Sequence, residues 1–478
     1  MTLEEILAIR PSPGKPRSYS FPAFERTVLP SGLQVLAIHV PGRPLVSANL
    51  IFRHGAVDEP AGVAGATVLS ARALSEGTQR YAGVELIEAA ERLGATLHAE
   101  ASWDGFAASI DVAGSRLRLA LELLDELVER PTFPAEDVAR LRDERLNDLM
   151  QMRAEPRRRV EYAFSQTIYT SASPYARLAG GDEATVEKLD RDALMAAHRA
   201  VLEPANGALV VGGDLLGLDV PRIVEDVFGS LAAAPASGSV APAPVSTPIS
   251  DSALDRTVVR LYNRPGSVQS EVRIGHVGLP RRVPDFHAVQ VMGAILGGLF
   301  NSRLQLNLRE QKGYTYGVGA GFDMRRGAGP FAVRTAVHTA VTAPAITEAL
   351  AELRRIRETP VAADELAVAR DYLMGVFPLR FETPGAVVAA VGGLFASDLP
   401  DDELARYRGL VEAVSIADVQ QAAQDHIHPD RIAIVLVGDA AAVVDDLKAA
   451  GLGEVEVIDE EIPATEETDA TDGEEEEG

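Results

Sequence analysis

Two side chains in the second half of the chain have the chemistry to hold a carbonyl oxygen. Arg309 lies in LGGLFNSRLQLNLREQK (296–312), where the spacing of the leucines predicts a helix of about three turns that ends near Gly313. Tyr316 lies in the alternating segment 314–318, which predicts a strand. A guanidinium and a phenol at such a junction can donate to one oxygen, and so can polarise a carbonyl or stabilise an oxyanion.

Composition alone favours a plainer interpretation of the same two residues. Arg309 would pair with Glu310 or another surface carboxylate, and exposed ion pairs of this kind contribute little to stability. Tyr316 would be an ordinary strand residue. These residues by themselves leave both interpretations open.

The wider pattern around the pair resembles a known motif. Leu308, Arg309, Glu310, Gly313 and Tyr316 form the pattern L-R-E-x-x-G-x-x-Y. It resembles the Arg/Tyr motif in the C-terminal half of the pitrilysin, insulinase and mitochondrial-processing-peptidase family. The resemblance implies that the pair binds substrate close to the zinc of a facing half, and it extends over about residues 24–445.

The same resemblance indicates where zinc ligands would lie. Gly55, Glu59 and Pro60 match the family's Gly-x-x-x-Glu-Pro step, and a predicted helix at 62–76 follows. In active members this helix carries H-x-x-E-H, which supplies two zinc ligands and a general base. Alignment on Gly77-Thr78, and on the Glu144-Arg145 pair for the third ligand, puts four residues at the zinc-motif positions: Val68, Ala71, Arg72 and Gln151.

None of these four residues suits the metal. Val68 and Ala71 have no lone pair, and Arg72 would place a fixed positive charge where the cation should lie. The neutral amide of Gln151 is a poor zinc ligand. We therefore expect no catalytic residue, no metal and no other cofactor in this chain.

A long internal repeat indicates the domain organisation that positions Arg309 and Tyr316. The segment around Pro204 and Asp214 recurs 225 residues later around Pro429 and Asp439, which is too long a period for a solenoid and indicates two homologous domains. Strands interleaved with helix pairs predict an α+β fold, and the resemblance implies two sheets with helices on one face that form half of a clamshell. The predicted parts are an N-terminal extension (1–23), a first domain (24–230), a Pro/Ala/Ser linker (231–256), a second domain (257–445) and an acidic, disordered tail (446–478).

Composition excludes several classes of protein. The chain has no cysteine, which removes thiol nucleophiles, disulfides and zinc–thiolate sites. Its formal net charge of −25 argues against nucleic acid as a partner. We find no stretch apolar enough for a signal peptide or a membrane span, and expect a cytoplasmic protein without a membrane partner.

The resemblance implies a division of labour between two chains. In family members of this length, one subunit can bring the zinc ligands and another the Arg/Tyr pair. This sequence matches the second kind, so we expect a heterodimer with a zinc-bearing homologous subunit and an extended peptide as substrate. Two alternatives remain: a structural or assembly subunit, and a module that binds peptides without hydrolysing them.

Overall fold

The computed structural model describes residues 17–229, 231 and 247–460. They form two domains, each built on a six-stranded mixed sheet. In the first sheet the strand order is β1-β2-β6-β3-β5-β4. Its strands are β1 (Glu25–Val28), β2 (Gln34–His39), β3 (Leu45–Phe52), β4 (Thr96–Ala101), β5 (Phe106–Ala113) and β6 (Gly207–Gly213).

The second sheet repeats the first, with the order β12-β7-β11-β8-β10-β9. Its strands are β7 (Val258–Asn263), β8 (Gln269–Val277), β9 (Val318–Phe322), β10 (Pro330–His338), β11 (Ala433–Gly438) and β12 (Val455–Ile458). In each domain a late strand inserts parallel to an early one, β6 beside β2 and β11 beside β7. The predicted α+β fold of two homologous domains is confirmed.

Helices surround both sheets. Those of the first half are α1 (Ala66–Ala73), α2 (Gly83–Arg92), α3 (Leu117–Glu129), α4 (Ala135–Ala154), α5 (Pro156–Ile168), α6 (Glu183–Val186), α7 (Arg191–Val201) and α8 (Val220–Phe228). Those of the second half are α9 (Phe286–Gly293), α10 (Thr342–Glu358), α11 (Ala363–Val376), α12 (Pro384–Ala396), α13 (Glu403–Ala413), α14 (Ile416–His426) and α15 (Ala440–Ala449). In the described ranges, no helix combines the length and the apolar character that a bilayer crossing requires.

The two domains exchange one helix each. Helix α12 of the second half packs on β3 and β6 of the first sheet, where Val391 and Phe395 contact the cluster that contains Val210. Helix α5 of the first half packs on β8 and β11 of the second sheet, with Phe164 in one cluster with Val435. Each sheet is therefore covered on both faces.

This exchange adds to the expected arrangement of helices on one face of each sheet. A domain's own helices do lie on one face, but the opposite face is covered from the other half. Strand β6 shows the consequence, because all seven of its residues are buried. Leu209 and Val211 face the helices of their own domain, whereas Val210 faces α12.

The predicted start of the acidic tail (446–478) is too early, because folded elements continue beyond residue 446. Helix α15 continues to Ala449, and β12 then adds to the edge of the second sheet in parallel with β7. Directly after β12, Glu460 accepts a hydrogen bond from Arg159 of α5 (2.8 Å). Residues 461–478 lie outside the described residues.

The other predicted boundaries are tested only in part. Residues 1–16 of the extension and 232–246 of the linker lie outside the described residues. Phe21, within the extension, is buried in the cluster that also contains residues of α12. At the end of the linker, Ala253 donates its backbone N–H to Ile168 of α5 (2.8 Å). The ends of both segments thus belong to the packed structure.

Candidate functional site

The segment that carries Arg309 is not one continuous helix. A π-helical turn, π1 (Ala294–Gly298), extends α9 and ends at a turn at 299–302, after which π2 (Gln305–Gln311) begins. The predicted three-turn helix is therefore interrupted. Gly313 has a φ of +66°, the left-handed conformation that ends helices, so the predicted stop is confirmed. Short π-helical segments are frequent at functional sites.

Contacts with neighbouring helices fix the inner side of π2. Arg303, just before π2, is buried and forms two hydrogen bonds with Glu365 of α11 (2.7 and 2.9 Å). Within π2, Asn307 donates to Glu348 and Glu352 of α10 (3.0 Å each). These bonds hold the segment rigidly, and its other side faces solvent.

On that solvent side, Arg309 lies between an aromatic ring and a carboxylate. Its guanidinium carbon is 4.6 Å from the centre of the Phe300 ring. Its Nε atom is 3.6 Å from Oε1 of Glu310, which is the surface pair of the plainer interpretation. Among the residues that the structure describes, no hydrogen bond occupies the Nη atoms of Arg309. They are available to an acceptor from solvent or from a ligand.

Tyr316 is exposed on an anchored backbone. Its side chain is 94% exposed. The predicted strand at 314–318 is wrong at its start, because β9 begins only at Val318. Before that point the side chain of Thr315, rather than a backbone ladder, bonds to the carbonyl groups of Ala336 (2.7 Å) and Gly317 (2.9 Å). The phenol thus projects into solvent from a fixed position.

Arg309 and Tyr316 stand on either side of the turn at Gly313. The structure shows no direct hydrogen bond between them within the described ranges, so neither side chain uses the hydrogen-bonding groups of the other. Both present donors at the surface. This arrangement is compatible with two donors that meet on a third group.

Three of the predicted zinc-motif positions, Val68, Ala71 and Arg72, lie on α1. A buried carboxylate holds its start: Glu59 accepts hydrogen bonds from the backbone N–H groups of Gly65 (2.9 Å) and Thr67. Burial raises the pKa of Glu59, although these hydrogen bonds act in the opposite direction. Gly65 has a φ of +97° and lies against Gly180, where a Cβ atom would come within 2.6 Å of the carbonyl oxygen. The matched Gly-x-x-x-Glu-Pro step therefore shapes the entry to α1.

Ion pairs join α1 to α4 at these positions. The Nη2 atom of Arg72 lies 3.1 Å from Glu144 of α4. Arg140, one turn earlier on α4, binds both Glu144 (2.7 Å) and Glu76 (2.7 Å). Gln151, the fourth position, is exposed on α4. A network of arginine and glutamate side chains occupies this part of the α1–α4 contact.

These residues do not fit a zinc ion. The side chains of Val68 and Ala71 offer no ligand atom, and Arg72 brings a positive charge that Glu144 already neutralises. Throughout the described part of the chain, no three His, Cys, Asp or Glu side chains converge in a way that could hold a metal. No chemical step of this chain can be assigned to zinc.

A cavity of about 340 Å³ opens beside Arg72. It lies between α1, α2 and the edge strand β4, and apolar side chains such as Leu86 and Leu97 form much of its wall. His98 and Glu91 add polar groups at its rim. This groove therefore lies beside the helix that carries Val68, Ala71 and Arg72.

Comparison with known proteins identifies the family. The model of the insulinase family, peptidase family M16, matches residues 34–180, and that of the peptidase M16 inactive domain matches residues 188–373. Together these matches cover more than half of the chain. The chain belongs to the M16 peptidase family, as the resemblance predicted, and its later part matches the model of the inactive domain.

Relatives within this family differ in how they are described. An uncharacterised zinc protease of Streptomyces coelicolor is 25% identical over 412 residues, which cover 84% of this chain and 86% of that protein. An uncharacterised zinc protease of Mycobacterium tuberculosis is 25% identical over 80% of this chain and 85% of its own length. A non-peptidase homologue of Helicobacter pylori is 21% identical over 83% of this chain and 89% of its own length.

Solved structures support the fold. A peptidase M16 inactive domain from Pseudomonas fluorescens superimposes with a TM-score of 0.79 at 24% identity, over 87% of this chain and 98% of that one. A protease from Helicobacter pylori gives the same TM-score at 17% identity and covers 87% of this chain and 99% of its own. At these identities the comparison concerns the fold alone.

Phe300 lies beside Arg309 and was not predicted from the sequence as part of this site. The sequence does contain a feature that could have indicated it: a large aromatic residue stands between Leu299 and Asn301, where the regular spacing of leucines is interrupted. In the structure its side chain is 69% exposed and contacts Arg309. Exposure of this kind cannot be told from a pattern of apolar residues, because the pattern places phenylalanine in a core.

Proposed function

We propose that this chain is the zinc-free subunit of a heterodimeric zinc peptidase of the M16 family. It would bind an extended peptide through Arg309 and Tyr316 and present it to a homologous subunit that carries H-x-x-E-H. The observation that carries the proposal is the combination of an exposed Arg/Tyr pair with four zinc-motif positions that cannot hold the metal. We place the complex in the cytoplasm.

The geometry of the pair supports a role in binding a backbone carbonyl. The Nη atoms of Arg309 form no hydrogen bond with another described residue, and Tyr316 extends its phenol into solvent. Two donors on one oxygen fix both its position and its orientation, and they become more favourable as negative charge develops there. The partner's metal site would supply the hydrolytic chemistry, while this chain orients the peptide and offsets charge.

The experiment combines this chain with a zinc-bearing homologue. We expect cleavage of an extended peptide, followed by mass spectrometry, only when both chains are present. Arg309→Ala and Tyr316→Phe should each lower kcat/KM by about tenfold to a hundredfold, which is the range for losing a hydrogen bond from or to a charged group. Arg92→Ala and Tyr372→Phe remove an exposed arginine and an exposed phenol elsewhere, and should leave cleavage unchanged.

The same experiment separates the two alternatives. If the mixture cleaves peptide and neither Arg309→Ala nor Tyr316→Phe has an effect, the chain is a structural or assembly subunit. If it binds peptide, but no mixture with a zinc-bearing homologue hydrolyses that peptide, it is a binding module. Copurification with a metal assay identifies the partner in either case.

A further inference from the structure

Phe300 is exposed between two buried leucines. Its side chain is 69% exposed, whereas Leu299 and Leu304 on either side are 8% and 0% exposed. A large aromatic side chain gains little from the hydrophobic effect at such a position. The guanidinium carbon of Arg309 lies 4.6 Å from the centre of the Phe300 ring. That distance is within the range of a cation–π interaction.

The turn that carries Phe300 is firmly held. The backbone N–H of Leu299 bonds to Ala294 (3.2 Å) in π1, and that of Ser302 bonds back to Leu299 (3.1 Å). The N–H of Leu306 in π2 then bonds to Ser302 (2.9 Å). The interruption between π1 and π2 is therefore an ordered feature, and it places Phe300 outside the core and against Arg309.

A contact that limits its rotamers would favour ligand binding by Arg309. Arginine has a long side chain with many rotamers, and it pays an entropic cost when a ligand fixes it. The Phe300 ring covers one side of the guanidinium and Glu310 lies near its Nε atom, while no hydrogen bond to another described residue occupies the Nη atoms. A guanidinium that is already oriented loses less freedom when it binds a carbonyl.

We propose that Phe300 is a positioning residue that holds the guanidinium of Arg309 in the orientation needed to grip the peptide. This inference rests on the proposed function, because it concerns how the Arg/Tyr pair is prepared for substrate. It extends the functional unit from two residues to three. Phe300 acts through Arg309, and its contribution should vanish when Arg309 is absent.

The test measures kcat/KM in the mixture with the zinc-bearing homologue. Phe300→Leu keeps an apolar side chain but removes the π face, and should lower kcat/KM by about threefold to fivefold. Phe300→Trp should retain the wild-type value or exceed it, since tryptophan is the better cation–π partner. In the Arg309→Ala background, Phe300→Leu should have no further effect, a readout that a purely structural role would not produce.

Matched controls make the result decisive. Val268→Ala removes another strongly exposed apolar side chain and should leave kcat/KM unchanged. Because Phe300 is exposed, thermal unfolding of Phe300→Leu should match that of the wild type. An unchanged kcat/KM in Phe300→Leu, or an equal loss with and without Arg309, would overturn the positioning role alone. An Arg309→Ala variant as active as the wild type would overturn the proposed function and this inference with it.

Discussion

At the scale of single residues, charge decides which chemistry each site permits. Arg72, which the sequence aligns with the second zinc-ligand position, pairs with Glu144 at 3.1 Å, so a cation is already present there in the form of a guanidinium. Arg309 also lies near a carboxylate, but its Nη atoms remain available among the described residues. The same residue type therefore blocks metal at one site and offers donors at the other.

Glu129 at the end of α3 makes stability depend on pH. Burial and the neighbouring carboxylate of Asp125 raise the pKa of Glu129 to about 7. The positive charge of Arg130 offsets part of this effect and acts to lower the pKa of Glu129. A carboxyl group whose folded pKa lies above its unfolded value stabilises the fold at low pH, and that contribution is lost as pH rises from about 4.5 through 7.

We predict that Glu129→Gln removes this loss of stability at high pH. At pH 8 the variant should have a larger free energy of unfolding than the wild type, by about 1 kcal/mol after allowance for solvent screening. The difference should shrink towards pH 5, where Glu129 is protonated in the folded state. Urea titrations at several pH values measure it. Glu122→Gln, an exposed change on the same helix, should show no such trend, and a parallel trend in both variants would contradict the prediction.

At the scale of elements, α1 and α4 carry the four residues that the sequence aligns with the zinc-motif positions. The two helices pack together, and two ion pairs join them: Arg72 of α1 binds Glu144 of α4, and Glu76, just after α1, binds Arg140 of α4. The alignment of the zinc motif implies that only side chains separate this site from a metal site. The helix positions themselves would already be suitable.

We predict that four substitutions create zinc binding: Val68→His, Ala71→Glu, Arg72→His and Gln151→Glu. Together they supply two imidazoles and a carboxylate as ligands and remove the competing positive charge. Metal analysis after dialysis should find about one zinc per chain. The matched variant that retains Arg72 should bind none. A folded fourfold variant without zinc would show that the motif has been aligned to the wrong positions.

At the scale of the whole molecule, the exchange of α5 and α12 makes each domain depend on the other. Helix α12 covers an apolar sheet face that includes Ile38 and Val210, and α5 covers one that includes Val435. Without its partner, each half would expose that face to water. Large exposed apolar faces of this kind lead to association or to loss of fixed packing.

We predict that neither half folds alone. Residues 1–246 and 247–478, produced separately, should bind a hydrophobic dye and unfold without a cooperative transition. Refolded together, they should recover the cooperative urea transition of the intact chain. The intact chain is the control. A separate half that unfolds cooperatively and binds no dye would contradict the prediction.

Local patterns in the sequence were sufficient for several conclusions. The 225-residue repeat and the alternation of strands and helices identified two homologous α+β domains, because burial of apolar faces imposes those periods along the chain. The identity of side chains at Val68, Ala71, Arg72 and Gln151 predicted that zinc has no place there. The assignment of Arg309 and Tyr316 to substrate remains a prediction.

Contacts between distant segments were decided only by the tertiary structure. The exchange of α5 and α12, the addition of β12 to the second sheet and the pairing of Arg72 with Glu144 join residues far apart in the chain, and no local period records them. The interruption between π1 and π2 is local, yet burial of Leu299 and Leu304 on either side of it turns Phe300 outwards. Packing against the rest of the molecule, rather than residue type, placed that ring beside Arg309.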